Sequence, residues 1–308
     1  MNTKLKLVIA LSCFYGAVFA QQEIQYTQNI LNSHLLINPA YSGVFGEHTV
    51  GLKFRNQWDK LPGSPQSFIA LGELPIKENL NLGIVFNHDV IGINTSDAIE
   101  ISPSTQLKVS DNSKLSLGLK VGFHHLDSDF SRLVGVDITD PLYANRANNS
   151  TYFGAGALYY NPKFYIGLSS PRIVNFESKS AGDKYLKNHF YLYGGSKIKL
   201  DEQFDLRPQL LLKSEFKADL VAEISSQLWF ENKVGLGVGY RSGDAVSASL
   251  QMEFKKMTFG YSYDITTSSL REHQNGSHEF FVGIKLKKSK PEKEGEEPVD
   301  RSTNQRYF

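Results

Sequence analysis

The sequence predicts an all-β protein, a transmembrane outer-membrane β-barrel of about 14 antiparallel strands. Three observations carry that reading. From Val50 onward apolar residues alternate with small or polar ones: Leu115, Leu117, Leu119, Val121 and Phe123 are interleaved with Ser116, Gly118, Lys120, Gly122 and His124. Period two is the mark of strands with one apolar face. Many of these runs reach the roughly nine to eleven residues that a tilted strand needs to cross a bilayer, and no apolar run after Ala20 is long enough for a spanning helix. The connections also sort by length, short on one side and long on the other, as in bacterial outer-membrane barrels.

Taken in order, residues 1–20 read as a signal peptide. Lys4 and Lys6 precede an apolar run from Leu7, and Val18-Phe19-Ala20 supplies small residues for cleavage. The sole cysteine, Cys13, lies inside this segment, so disulfides and thiolate ligands are not expected beyond it. Residues 21–46 are not strand-like and are expected to form an N-terminal periplasmic or luminal segment. Residues 47–287 form the expected barrel. Its strands are placed near 47–58, 66–75, 79–88, 97–109, 114–126, 151–160, 163–170, 187–199, 203–213, 217–229, 233–241, 245–254, 256–264 and 277–287. With the N-terminus placed in the periplasm, the connections on that side are all short. The opposite side holds 127–150, 171–186 and 265–276, with moderate loops at 59–65 and 89–96. Residues 288–308 are a charged tail, expected to be flexible from its composition. The expected localisation is the outer membrane, as a multi-pass β-barrel with both termini in the periplasm.

Charge and composition exclude several classes. Charged residues are 21% and the net charge is +1, too balanced for a nucleic-acid binder working by bulk charge. Residues 1–20 hold two lysines and no acid, so the remainder carries 31 basic and 32 acidic side chains, a net −1. The 41% hydrophobic content is low for a bundle of membrane helices. A soluble β-sandwich also alternates, but its second face would be more highly charged. Here that face is rich in Gly, Ser, Gln and Thr, which suits a crowded or wet lumen.

Two stretches stand out chemically. Asn38-Pro39-Ala40-Tyr41-Ser42-Gly43 is a turn signal: Pro39 fixes its own φ and restricts Asn38, and Gly43 permits a positive φ. It reads either as the turn that positions the first strand or as a periplasmic contact or lumen plug. Lys53, Arg55 and Gln57 share one strand face while Val50, Leu52 and Phe54 occupy the other. In a barrel the first set points inward, where a confined charge needs a partner. For Arg55 the candidates are Glu223, Glu253, Glu279 and Asp205. Trp58, with Gly63 and Pro65 beyond it, joins this set as interior or partner contacts.

Trp58, Tyr159, Tyr160, Tyr191, Tyr193 and Trp229 suit interface girdles, since each ring has an apolar body and a polar edge. Tyr191 and Tyr193 lie on the face opposite Phe190 and Leu192, which points to interior packing for some of them. His124-His125 with Asp127 and Asp129 is the most metal-like cluster, but adjacent strand residues face opposite ways, so no metal site is assigned. No nucleophile motif, phosphate loop or metalloprotease helix occurs, so no catalytic residue, enzyme activity or cofactor is expected.

The segment Gln25-Tyr26-Thr27-Gln28, Asn32, Leu36-Ile37-Asn38-Pro39-Ala40-Tyr41-Ser42-Gly43, followed by Arg55-Asn56-Gln57-Trp58 and Gly63-Ser64-Pro65, resembles the PorP/SprF family. These are Bacteroidetes outer-membrane proteins of type IX secretion and gliding. The general resemblance extends over most of residues 22–287. It implies a non-enzymatic barrel that binds the type B C-terminal domain of a large secreted, adhesin-like surface protein, for export or cell-surface attachment. One branch of the family instead links to periplasmic lipoproteins and ring components of the motor, and a general diffusion porin is the remaining alternative. Expected partners are thus that surface protein, the ring components and the lipid bilayer, with no nucleic acid. Loops commonly carry such recognition. The candidate extracellular contacts are Asp129, Phe130, Asp137, Asp140, Tyr143, Arg172, Phe176 and Arg271.

Overall fold

A computed structural model describes residues 33–77, 79–133, 140, 143–177, 188–215 and 220–288. The expected signal peptide, residues 21–32, and the tail beyond Lys288 lie outside the described residues. Fourteen antiparallel strands close into a barrel. They are β1 (Glu47–Asn56), β2 (Gln66–Pro75), β3 (Leu80–Ile91), β4 (Asn94–Ser110), β5 (Ser113–Ser128), β6 (Arg146–Tyr160) and β7 (Phe164–Glu177). There follow β8 (His189–Ser196, continued past Lys197 by Ile198–Lys199), β9 (Phe204–Glu215), β10 (Val221–Phe230), β11 (Val234–Arg241), β12 (Ala245–Phe254), β13 (Met257–Thr266) and β14 (Ser277–Lys288). Each pairs with its sequence neighbour, and β1 pairs with β14 in a register that sets Arg55 opposite Glu279. Closure leaves no sheet edge, so every strand finds its backbone partners within the wall.

Alternation fixes which face is which. On β1, Leu52 and Phe54 point outward at 47% and 43% exposure, while Lys53 and Arg55 point inward and are buried. Leu117, Leu119, Val121 and Phe123 on β5 repeat the pattern, with Ser116 and Lys120 buried inside. A continuous apolar exterior around a polar interior is what lipid outside a barrel requires.

One mouth carries only short turns. At Phe230–Lys233 the amide of Lys233 donates to the Phe230 carbonyl at 2.8 Å, with Glu231 and Asn232 at φ 47° and 51°. Positive φ at both central residues makes a hairpin turn whose twist matches the strands. The other mouth carries the segments between β5 and β6, β7 and β8, and β13 and β14. Two expectations shift here. The expected loop at 89–96 is a tight turn between Ile91 and Asn94, with Gly92 at φ 60°. Strand β7 runs on to Glu177, past a register shift opposite Phe153/Ala155, so Arg172 and Phe176 lie on a strand and not in a loop. The bulge at this shift absorbs Pro171, which lacks a ladder N–H.

The expected multi-pass localisation with periplasmic termini also needs correction. No helix among the described residues is long and apolar enough to cross a membrane, and a single barrel domain does the crossing with its strands. Both ends of the chain lie outside the described residues, so neither is assigned to the periplasm.

Candidate functional site

The segment before β1 folds back inside the barrel. Helix α1 (Ser33–Ile37) leads into a 3-10 turn (Pro39–Tyr41). Asn38 caps that turn: its Oδ1 accepts the Ala40 amide at 2.8 Å, and Pro39 occupies the position where a missing N–H costs nothing. The Asn38 Nδ2 donates to the Ala157 carbonyl of β6 at 3.1 Å, tying the cap to the wall. The Asn-Pro-Ala-Tyr-Ser-Gly signal is therefore a lumen plug, with Asn38, Ala40, Tyr41 and Ser42 all buried.

The wall is shaped to receive it. Lys120 donates to the Leu36 carbonyl at 3.0 Å, Ser169 to Ile37 at 2.8 Å, Ser104 to Ser42 at 2.8 Å and Gln106 to Gly43 at 3.0 Å. The Glu73 carboxylate accepts the Gly43 amide at 2.9 Å. Glycines make the space: a Cβ at Gly118 would collide with the Pro39–Ala40 backbone, and one at Gly156 with Asn38 Oδ1. Gly43 itself has φ 65° and packs against Asn81.

The plug's apolar side joins a core of Leu35, Ala40, Tyr41, Ile69, Leu71, Val85, Leu158, Tyr165 and Tyr193. His34 sits among aromatic rings, stacked on Tyr41 at 5.0 Å and within 3.2 Å of the Tyr165 hydroxyl. Burial, with a smaller contribution from the Lys53 charge, pushes its pKa down to about 3. It is therefore neutral at pH 7.

The opposite side of the lumen is filled by charges, toward the long-loop mouth. Lys53 meets Glu279 at 3.0 Å, and Arg55 bridges Glu279 at 3.1 Å and Asp264 at 2.8 Å. Arg241 continues the chain to Glu223 at 3.0 Å and Asp244 at 2.7 Å. Glu279 was among the expected partners of Arg55. Glu223 instead pairs with Arg241, Asp205 with Lys197 at 3.1 Å, and Glu253 with Lys285 at 3.2 Å. Gln57 lies buried within 3.4 Å of the Arg55 Nε. At the short-turn mouth Arg207 lies 4.3 Å over the Trp229 ring. Trp229, Tyr160, Tyr191 and Tyr193 are thus interior residues, not girdle residues, because each falls on the luminal parity of its strand.

At the long-loop mouth the segment after β1 is braced on both sides. Trp58 has φ 57° and its amide donates to Ser277 Oγ at 3.1 Å. The Asp59 amide donates to the Gly276 carbonyl at 2.8 Å, the Asn275 amide to the Asp59 carbonyl at 2.9 Å, and the Gly92 amide to the Gly63 carbonyl at 2.9 Å. Pro65 is buried at the base, where its carbonyl accepts the Gln57 amide. A bulky residue in the left-handed region is costly and persists only where its surroundings fix it.

The other candidate contacts are scattered around this mouth. Asp129 caps the turn Phe130–Arg132, and the Ser131 hydroxyl and amide that bond it hold its carboxyl below the usual range. Phe130 packs toward Tyr143 and beneath Arg146, and the Tyr143 amide donates to Asp140. Arg271 is exposed in the turn Ser269–Glu272. Asp137 lies outside the described residues. Phe176 faces outward against Phe153, whereas Arg172 lies over the Tyr152 ring at 5.5 Å. His124 faces the lumen and His125 the exterior, where it meets Asn149 at 2.8 Å. Among the described residues no group of three or more His, Cys, Asp or Glu is placed to hold a metal.

Comparison with known proteins places these features. The family described as "Type IX secretion system membrane protein PorP/SprF" matches residues 18–284. No curated protein matches the chain. Among solved structures, the CymD monoaromatic hydrocarbon channel is 11% identical, with 85% of this chain and 95% of that one covered at a TM-score of 0.47. The KdgM porin in complex with disordered oligogalacturonate is 9% identical, covering 78% and 99% at 0.40. A Pseudomonas aeruginosa FadL homologue is 10% identical, covering 80% and 91% at 0.43.

Proposed function

The chain belongs to the PorP/SprF family of the Bacteroidetes type IX secretion and gliding system, and from that premise we propose that it binds the type B C-terminal domain of a large secreted, adhesin-like surface protein. The purpose of binding is export of that protein or its attachment at the cell surface. Family and fold are those of a non-enzymatic, barrel-forming outer-membrane protein.

The observation that carries the reading is the filled lumen. The plug occupies one half and the Lys53–Glu279–Arg55–Asp264–Arg241 network the other, so the working surface lies at the mouths. In outer-membrane barrels the longer loops face outward. On that side the braced Trp58–Pro65 segment supplies a rigid base, flanked by the turns at Phe130–Arg132 and Ser269–Glu272. Mild detergent extraction tests this. Co-purification of a large secreted protein, lost when 129–145 is swapped for a short turn, supports the reading. Recovery of periplasmic lipoproteins alone, unaffected by the swap, supports linkage to the motor ring instead.

A further inference from the structure

The plug is held by the wall much as a separate ligand would be, and the wall is complete without it. Every strand of the barrel closes through backbone pairing, β1 to β14 included, and residues 33–44 contribute no strand. The contacts described above are mostly wall side chains that donate to plug carbonyls, from Ser104, Gln106, Lys120 and Ser169. Such bonds can be exchanged for water without breaking the ladder.

The connection to β1 is built to pivot. Gly46, between the held Gly43 and β1, has φ 63°, and a Cβ there would meet nothing within 4 Å. Glycine at such positions has the broadest choice of backbone conformation.

Barrel size adds a third argument. About eight strands enclose a space that side chains alone can fill, whereas wider barrels leave a channel unless something plugs it. Here the β1 and β10–β14 side is filled by its own ion pairs, and the β2–β8 side by the plug. The surface beneath the plug is mixed: Ile69, Leu71, Val85 and Leu158 meet its apolar side, and Ser104, Gln106, Lys120 and Ser169 give it hydrogen-bonding groups that water could also use. The Ser102 hydroxyl finds no hydrogen-bond partner among the described residues while the plug is seated.

We propose that residues 33–44 are a releasable gate, and that their withdrawal opens an aqueous passage for small polar solutes through the β2–β8 half of the lumen. This goes beyond partner binding at the long-loop mouth and does not depend on it.

The experiment is single-channel recording of the full-length protein in planar bilayers, with two variants. An ideal Cβ on Gly83 stands 3.3 Å from the Ser42 Cβ, near the ~3.5–4.5 Å separation that a disulfide needs. Ser42→Cys with Gly83→Cys, in a Cys13→Ser background, therefore locks the gate when oxidised. Gly118→Leu forces it out. The expected result is stepwise opening of the reduced pair under voltage or mild urea, complete loss of those steps on oxidation, and sustained conductance in Gly118→Leu. Equal opening of the oxidised and reduced pairs overturns the proposal, as does silence of the reduced pair under all conditions. If Gly118→Leu fails to form a heat-modifiable barrel, the cross-link comparison decides alone.

Discussion

Gly118 on β5 stands directly against Ala40 of the plug: a Cβ built on the glycine would lie 2.6 Å from the Ala40 Cα and closer still to its amide. The neighbour is backbone held by a capped turn, so it has little room to give. Gly118→Ala is expected to destabilise the protein by about 1–3 kcal/mol through overpacking. Gly72→Ala, whose Cβ would meet only the Thr49 carbonyl at 3.8 Å, is expected to stay within about 0.5 kcal/mol. Urea unfolding in micelles checks the pair.

The ion network makes a second prediction. Glu279 is fully buried between Lys53 and Arg55, so Glu279→Ala removes the carboxylate that Lys53 meets and leaves Arg55 only the Asp264 side of its bridge. The expected loss is about 3–5 kcal/mol, the usual cost of breaking a buried pair from one side. Adding Lys53→Met to that variant removes the buried ammonium that Glu279 had offset and is expected to recover part of the loss. A non-additive double-mutant cycle in unfolding free energy is the readout.

His34 links plug seating to pH. Its folded pKa is lowered from 6.5 to about 3, first by burial and then by Lys53. A group of this kind binds more protons when released than when seated, so seating strengthens as pH rises through that window. Docking is therefore fully stabilised above about pH 6.5 and weakens progressively as pH falls toward 3. The groups facing the imidazole are Tyr41 beside it in the plug, Tyr165 on β7, Tyr193 on β8 and the Lys53 charge on β1. Labelling of Ser42→Cys by dithiodipyridine, a reagent active in acid, is expected to accelerate as pH drops. The same variant with His34→Phe is expected to lose that acceleration.

Trp58 separates stability from recognition. Its φ of 57° is a conformation that glycine adopts freely. Relief of that strain in Trp58→Gly is worth about 1–2 kcal/mol to the backbone. The variant is expected to melt no lower than the parent but to recover less of the surface protein. A lower melting temperature with unchanged recovery would place Trp58 in the fold alone.

Much of this architecture was readable from the sequence because a barrel wall obeys one local rule. Lipid outside and polar groups inside impose period two on the strands, and β5 shows it from Leu115 to His124. Where the rule lapses, the reading lost precision. Asp89 prolongs the polar run of Asn87 and His88 and the Gly92 turn signal follows closely, so the sequence ends this strand at 88, three residues short of Ile91. The plug was partly legible, since the Asn38–Gly43 turn was marked by residues with restricted or permissive φ. Its seat was not: Gly118 and Gly156 look like any luminal glycine until register brings them under Asn38 and Ala40. Asp264 was missed as a partner of Arg55 for the same reason. Cross-barrel pairing depends on strand order and stagger, and alternation gives only the inward direction.

Direct binding of a purified type B C-terminal domain to the detergent-solubilised barrel tests the central claim most closely. The account predicts saturable binding to the parent protein, loss of binding when 129–145 and 267–276 are replaced by short turns, and no loss when Ser42→Cys and Gly83→Cys lock the plug. Binding that survives the loop replacement, or none to the parent at all, would contradict it.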